Sequence, residues 1–353
     1  MTPVSPRARH SIHSYYVASP ESPDGRHVLF FASDRPNAAY GDVVVRNRMS
    51  GDERVVAKGV QVEDAHRAAC QHWCDGGRCV AFHEVRDGRW VALSADLEAG
   101  TEMVLAENAQ VGFAHPSSPW VPVIGFHGRP DGVTGIRLVH ARTGQIRAGV
   151  DASQVCARFG NWIDTVFGGR DISLYFPVVG PGDRRMFFKV ARADGSGRES
   201  RREGLLIFEF ATGRLLSMRP SWGHPSWHPD GRRIIESKSR LIDTDTGEEI
   251  QLLAAPSQHP SPHPDGLHYV TDTYLLNEQG GATGEWAVIV NRLAGDDPRW
   301  LQRFDFRGGA QSARVPHPHP AFSPDGRRIY FNVSSGPWTR LHVMEWSPED
   351  VIP

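Results

Sequence analysis

The sequence predicts an all-β protein, a seven-bladed β-propeller built as one domain over residues 1–353. Three observations predict it. A Pro-Asp-Gly-type turn, a short β-rich strand, a loop and a second strand follow one another seven times along the chain, and seven units in 353 residues give about 50 residues each. Helical periodicity is nearly absent, while 36 glycines and 26 prolines punctuate the chain with turns. Short strands at regular spacing suit a sandwich, a barrel or a propeller, and a four-strand unit repeated seven times selects the propeller. Radial repetition also leaves no long exposed sheet edge, so one domain can reach this length.

The units are expected to start near residues 17, 70, 115, 176, 224, 259 and 319. In the first, Ser22-Pro-Asp-Gly25 leads into Arg-His-Val-Leu-Phe-Phe and then Gly41-Asp-Val-Val-Val. The second runs from Asp75-Gly-Gly-Arg-Cys-Val-Ala-Phe82 to Arg89-Trp-Val-Ala-Leu. The third, from Val121 to Gly144, lacks the Pro-Asp-Gly turn and matches least well. The fourth pairs Gly182-Asp-Arg-Arg-Met-Phe-Phe188 with Leu205-Leu-Ile-Phe-Glu-Phe, around a polar insertion from Arg192 to Arg202. The last three open on Asp230-Gly, Asp265-Gly and Asp325-Gly and continue to Arg240-Leu-Ile-Asp, Trp286-Ala-Val-Ile-Val and Arg340-Leu-His-Val.

Charge is nearly balanced, 39 basic against 41 acidic residues, so nothing marks a nucleic-acid or membrane surface. No run of 18 apolar residues occurs and the first ten residues hold no apolar signal core, which makes a cytoplasmic protein the expectation. Cys70, Cys74 and Cys79 lie close to His66 and His72, but no Cys-x-x-Cys occurs and spacings of four and five fit zinc poorly. With Cys156 they read as free thiols of a reducing compartment.

The chemistry concentrates in histidines. His224, His259 and His319 each stand seven residues before the glycine of a Pro-Asp-Gly turn, in three consecutive units. The segment before each turn would be its unit's first strand, the one that lines a propeller's central channel, so the three side chains are expected to converge at the axis. His317 lies two residues before His319, and side chains two apart on a strand share one face at ~6.6 Å spacing. With His259 this pair offers three imidazoles to one ion, a set suited to Mn, Fe, Co, Ni or Zn. His228 and His263 stand directly before Pro-Asp-Gly and read as structural. No Gly-x-Ser-x-Gly, Walker loop or dinucleotide fingerprint is present, and most carboxylates sit in Asp-Gly turns.

Trp222-Gly-His224-Pro-Ser-Trp-His-Pro-Asp-Gly, His259 and Val315-Pro-His317-Pro-His319-Pro-Ala-Phe-Ser-Pro-Asp resemble the oligogalacturonate lyases, and Tyr15-Tyr16 with the Ser-Pro-Asp-Gly that follows is similar too. Outside these residues the pattern is shared with propellers of the TolB type. The resemblance implies a seven-bladed propeller that cleaves short uronate oligosaccharides by β-elimination. It implies that His259, His317 and His319 bind a divalent metal, manganese in the family, and that His224 is the general base. The family's fourth protein ligand is a glutamine where this chain has Arg314; Gln311 or water could take its place, or Arg314 could hold the substrate carboxylate. Arg202 is the candidate catalytic arginine, with Arg201 and Tyr16 as substrate-binding candidates. The expected partner is an acidic oligosaccharide. Two other readings stay open: a non-catalytic TolB- or WD40-like propeller binding a sugar or a protein, and a lyase for another uronate polymer such as ulvan.

Overall fold

The structure is a computed structural model and describes residues 1–63, 65–125, 135–194, 200–237, 239–252, 257–295, 298–306 and 317–347. Among the described residues the strands form seven successive antiparallel meanders, and the chain divides into two compact units. The first unit holds residues 1–71, 223–243 and 248–353; the second holds 72–222 and 244–247.

In the first unit, one meander runs through His10–Ile12, His27–Ser33, Tyr40–Asn47 and Glu53–Gln61. Three more follow the repeated histidine motifs. They are Pro225–Trp227, Arg233–Glu236, Arg240–Asp243 and Glu249–Gln251; then Ser261–Pro262, His268–Leu276, Ala282–Arg292 and Arg299–Asp305; then Ala321–Phe322, Arg328–Ser335 and Trp338–Glu345. The last meander takes its outer strand from the start of the chain, where Thr2 and Pro3 pair antiparallel with Val343 and His342. Ser11 also pairs with Arg340, so the first and last meanders share one hydrogen-bonded sheet.

The turns explain themselves. Gly231, Gly266 and Gly326 adopt φ of 66°, 68° and 74°, where a side chain is costly, and the aspartate before each ties the turn. Asp230 Oδ1 accepts from the N–H groups of Arg232 and Arg233, both at 2.9 Å, and Asp325 Oδ1 accepts from Arg327 N–H at 3.0 Å. His228 and His263 are structural, as the sequence suggests. His228 donates from Nε2 to the carbonyl oxygen of Gly266 at 2.9 Å, and His263 donates to that of Gly326 at 3.1 Å. Each imidazole thus latches its own turn to the next one. At the join of last and first meanders a buried ion pair does this work. Arg328 reaches both carboxylate oxygens of Glu21, at 2.8 and 2.9 Å, and Glu21 is fully buried.

Between neighbouring meanders the apolar faces interlock. Val270, Val288, Val290 and Phe304 pack on Phe322, Ile329, Phe331 and Val333, capped by Trp346. Val28, Phe30 and Val44 meet Tyr330 and Leu341 in the same way. Burying each such side chain contributes about 1.5–3 kcal/mol, so these layers fix the strand order that carries the histidines.

The second unit contains the meanders His72–Cys74 to Thr101–Glu107, Gln110–Val111 to Ile146–Asp151, and Ile172–Val179 to Arg214–Arg219, the last joined in parallel by Phe113–Ala114. It also contains a helix, Ala152–Phe167, where the sequence reading placed none. Asp151 N–H donates to Gln154 Oε1 at 2.8 Å at its start, Gly168 closes it in the left-handed region, and Val155, Ile163 and Phe167 are buried. No helix among the described residues is long and apolar enough to cross a membrane. Cys70, Cys74 and Cys79 are buried free thiols, as expected, and Cys156 is a half-buried one.

Candidate functional site

Repetition of one turn brings the repeat histidines to equivalent places. The histidines stand just before the first strands and not on them: His224 immediately precedes Pro225–Trp227, while His259 and His319 stand two residues before Ser261–Pro262 and Ala321–Phe322, and His319 has a positive φ that breaks the strand pattern expected for His317 and His319. The rings meet in the first unit: His224 and His259 centroids are 4.4 Å apart, His259 and His319 4.6 Å, His259 and His317 5.3 Å, and His317 and His319 5.5 Å. Convergence is therefore real for all four residues singled out in the sequence.

A fifth histidine joins them. His66, on the loop after Glu53–Gln61, lies 4.6 Å from His317 and 4.8 Å from His319, ring to ring. One ring nitrogen from each of His66, His317 and His319 falls within 4.8 Å of the other two. The sequence offered His66 only as a neighbour of cysteines; it carries no repeat signal.

The floor of the cluster is Asp272, on the second strand of the sixth meander. Its Oδ1 lies 2.7 Å from His259 Nδ1, and its Oδ2 accepts from the backbone N–H of His319 at 3.0 Å. Complete burial pushes the Asp272 carboxyl up to about 7, against the opposing pull of His317 and the His319 N–H. With the proton on Nδ1 facing Asp272, His259 would present the Nε2 lone pair, the arrangement in which a carboxylate orients an imidazole that can hold a metal. His319 holds φ of 44°, a strained value for a residue with a side chain, and Asp272 stabilises it there. Asn332 sets the neighbouring backbone: its Oδ1 accepts from His13 N–H at 2.9 Å and its Nδ2 donates to His317 O at 3.3 Å.

Electrostatics keep His319 neutral. His319 is pushed well below the usual histidine range, first by burial and then by His259, His66, His317 and His13 around it. Burial takes His13 down to about 3. Neither ring nitrogen of His319 has a hydrogen-bond partner among the described residues, although both are buried. Buried polar atoms without a partner are costly, and neutral imidazole nitrogens are what a divalent cation binds. The residues present therefore fit a metal ion.

His224 is only half-buried, unlike His259 and His319. Its N–H donates to Ser237 Oγ at 3.0 Å, and the N–H of Gly223 donates to Glu236 Oε1 at 2.7 Å. A Cβ on Gly223 would stand 2.4 Å from Ser237 Oγ, so the close approach that fixes His224 demands glycine. Tyr16 is fully buried, donates to Pro225 O at 3.1 Å and stands 5.1 Å from His259, ring to ring. Burial, followed by Tyr15, Glu236 and Asp272, raises its hydroxyl well above the usual range, so it keeps its proton. Tyr15 packs 4.5 Å from His319.

Arg201 and Arg202 belong to the second unit. Arg201 is exposed, and its carbonyl accepts from Arg192 N–H at 2.9 Å. Arg202 begins the strand Arg202–Glu209; its guanidinium lies 5.8 Å from the centre of the Tyr175 ring and its carbonyl accepts from Trp222 Nε1 at 2.6 Å. Arg314 and Gln311 lie outside the described residues.

No protein-family model matches the chain, and no curated protein matches it in sequence. Solved structures do match it in fold. An oligogalacturonate lyase from Vibrio parahaemolyticus is similar with a TM-score of 0.67 and 14% identity, over 98% of this chain and 93% of that one. An oligogalacturonate lyase in complex with manganese has a TM-score of 0.65 and 16% identity, over the same shares. A β-propeller domain from Myceliophteria thermophila has a TM-score of 0.55 and 12% identity, over 96% of this chain and 99% of that one. The fold is thus the all-β propeller that the repeats predict.

Proposed function

We propose that the chain is a carbon–oxygen lyase that cleaves short uronate oligosaccharides, of the oligogalacturonate kind, by β-elimination. The observation that carries this reading is the cluster of His224, His259, His317 and His319 over Asp272, and the likeness in fold to two oligogalacturonate lyases supports it.

Elimination removes the proton on C5 of the uronate, turns that bond's electron pair into a C4=C5 double bond, and expels the oxygen on C4, which takes up a proton. His224 takes the C5 proton. It is half-buried beside His259, it is held at its backbone by Ser237, and imidazole titrates closest to neutrality among side chains. His259, His317 and His319 would hold the divalent ion; manganese is the family's metal. When bound, such an ion offsets the carboxylate charge and acidifies the C5 proton. Asp272 holds His259 in one tautomer and His319 in one backbone conformation, which preorganises the cluster. Tyr16 keeps its hydroxyl on Pro225 and serves as a ring platform under His224 and His259. Arg201, Arg202 and Arg314 are proposed partners for the acidic oligosaccharide on the sequence resemblance, Arg202 as the catalytic arginine.

A 4,5-unsaturated uronate absorbs in the ultraviolet, which tests the reading directly. Incubation with oligogalacturonate should generate the chromophore, and His224→Ala should slow it about 10²–10⁴-fold. Normal elimination by that variant would remove His224 from the role. A second reading, a binding propeller, is favoured by Arg314 standing where the lyases have a glutamine. Tight uronate binding with no chromophore from any uronate polymer, ulvan included, would establish it instead.

A further inference from the structure

We propose that His66 is a metal ligand, and that His66, His259, His317 and His319 form a four-imidazole site that favours ions of nitrogen preference, such as Ni²⁺ or Zn²⁺, over Mn²⁺. The proposal rests on the metal-assisted reading above. Three features carry it. His66 is buried, 1% exposed, although it sits on a loop between strands, where histidines commonly face water. Its ring is as near to His317 and His319 as the ring of His259 is: 4.6 and 4.8 Å against 5.3 and 4.6 Å. And a nitrogen of His66 belongs to the closest three-donor set of the cluster, within 4.8 Å.

The donor set decides the ion. Imidazole suits Zn, Cu, Fe and Ni, whereas carboxylate and carbonyl oxygens suit Mn and Mg. Among the described residues, Asp272 is spent on His259 Nδ1 and His319 N–H and lies fully buried. Four imidazole nitrogens, with no carboxylate oxygen among the described residues left to join them, place the site on the imidazole side of that division. Two of the three segments that bear the ligands are also fixed independently. His317 and His319 hang on Asn332 and Asp272, and the His66 loop is tied near its end by Gln71, whose Nε2 donates to Ile12 O at 2.9 Å and whose carbonyl accepts from Ser14 Oγ at 2.7 Å. An ion bound across them would close the loop onto the last meander.

The test is metal binding to the full chain after chelator stripping, titrated with Mn²⁺, Ni²⁺ and Zn²⁺ for wild type, His66→Ala and His66→Gln. We expect Ni²⁺ and Zn²⁺ affinity to fall about hundredfold in both variants and Mn²⁺ affinity to fall less, with the unfolding temperature of the metal-free proteins unchanged. X-ray absorption of Ni²⁺-loaded wild type should count four imidazoles, and this measurement stands even where a variant misfolds. Wild-type Ni²⁺ and Zn²⁺ affinity in the His66 variants, or three imidazoles in the wild type, would overturn the role of His66 while leaving a three-histidine metal site and the proposed reaction in place. A wild-type chain that binds none of the three ions would overturn both.

Discussion

Asp272 Oδ1 stands 2.7 Å from Nδ1 of His259, and the pair is buried at the base of the histidine cluster. The contact ties a carboxylate of the sheet interior to the side chain nearest His224. Everything proposed for the cluster depends on the ring of His259 presenting Nε2 rather than Nδ1.

Asp272→Asn separates orientation from charge. The amide keeps the shape and can still accept from His319 N–H. Where its NH₂ faces His259, it donates to Nδ1 and forces the other tautomer, which puts the proton on Nε2. We expect metal affinity to fall ten- to a hundredfold, the usual cost of losing such an orienting partner, with the fold retained. Isothermal titration of the variant with Ni²⁺ or Mn²⁺ measures it, and an unchanged affinity would detach Asp272 from the metal.

Gly326→Ala tests the latch between turns. The glycine holds φ of 74°, and a Cβ there would come within 2.0 Å of His263 Nε2, whose hydrogen bond to Gly326 O spans only 3.1 Å. Backbone strain and a broken latch together should destabilise the protein by about 2–4 kcal/mol. His263→Ala on its own should cost about 1–2 kcal/mol, because it removes the buried hydrogen bond to Gly326 O, the one that His263 Nδ1 accepts from Asp265 N–H, and some packing. In the double variant the clash is gone, so the combined loss should be smaller than the sum of the two. Denaturant unfolding of the three variants gives the coupling; strict additivity would mean that the imidazole and the turn do not act on each other.

These two residues mark how far the chain was legible beforehand. The meanders showed in the sequence because Pro-Asp-Gly turns are local chemistry: aspartate ties the turn and glycine supplies the positive φ, wherever the rest of the chain lies. The histidines showed because they repeat with those turns. His66 did not, since it lies on a loop with no counterpart in other units. Asp272 stands in a strand of Thr, Tyr and Val residues, with neither a turn glycine beside it nor a counterpart in the repeat to mark it. The helix Ala152–Phe167 does carry a local signal, which the strand repeat around it masks: Asp151 with Gln154 three residues on, and apolar Val155, Phe159, Ile163 and Phe167 at steps of four. The closing strand Thr2–Pro3 had none. Two residues carry no period, and what selects them is the open edge of Trp338–Glu345.

The same turn chemistry predicts how the protein fails in acid. Burial works against ionisation of Asp265, but Leu267 N–H at 2.7 Å, His268 Nδ1 at 2.8 Å and His263 outweigh it and hold the carboxyl at about 2. Asp325 is held at about 2 as well, burial again being overcome, here by Ser323, Arg327 N–H and Arg328. An aspartate in the unfolded chain titrates near ~3.9. Both folded values are depressed, so their contribution is fully present above about pH 4 and is lost as pH falls from there through about 2. Between these limits the unfolded chain binds the extra protons, and stability must drop with pH. Asp265→Asn and Asp325→Asn should each flatten that drop by a fraction of one proton, while leaving stability lower than wild type at pH 7, because the ionised hydrogen bonds are gone. Unfolding temperatures from pH 2 to 7 for the wild type and both variants check this, and a variant whose acid slope matches the wild type would show that its turn carboxylate does not drive acid unfolding.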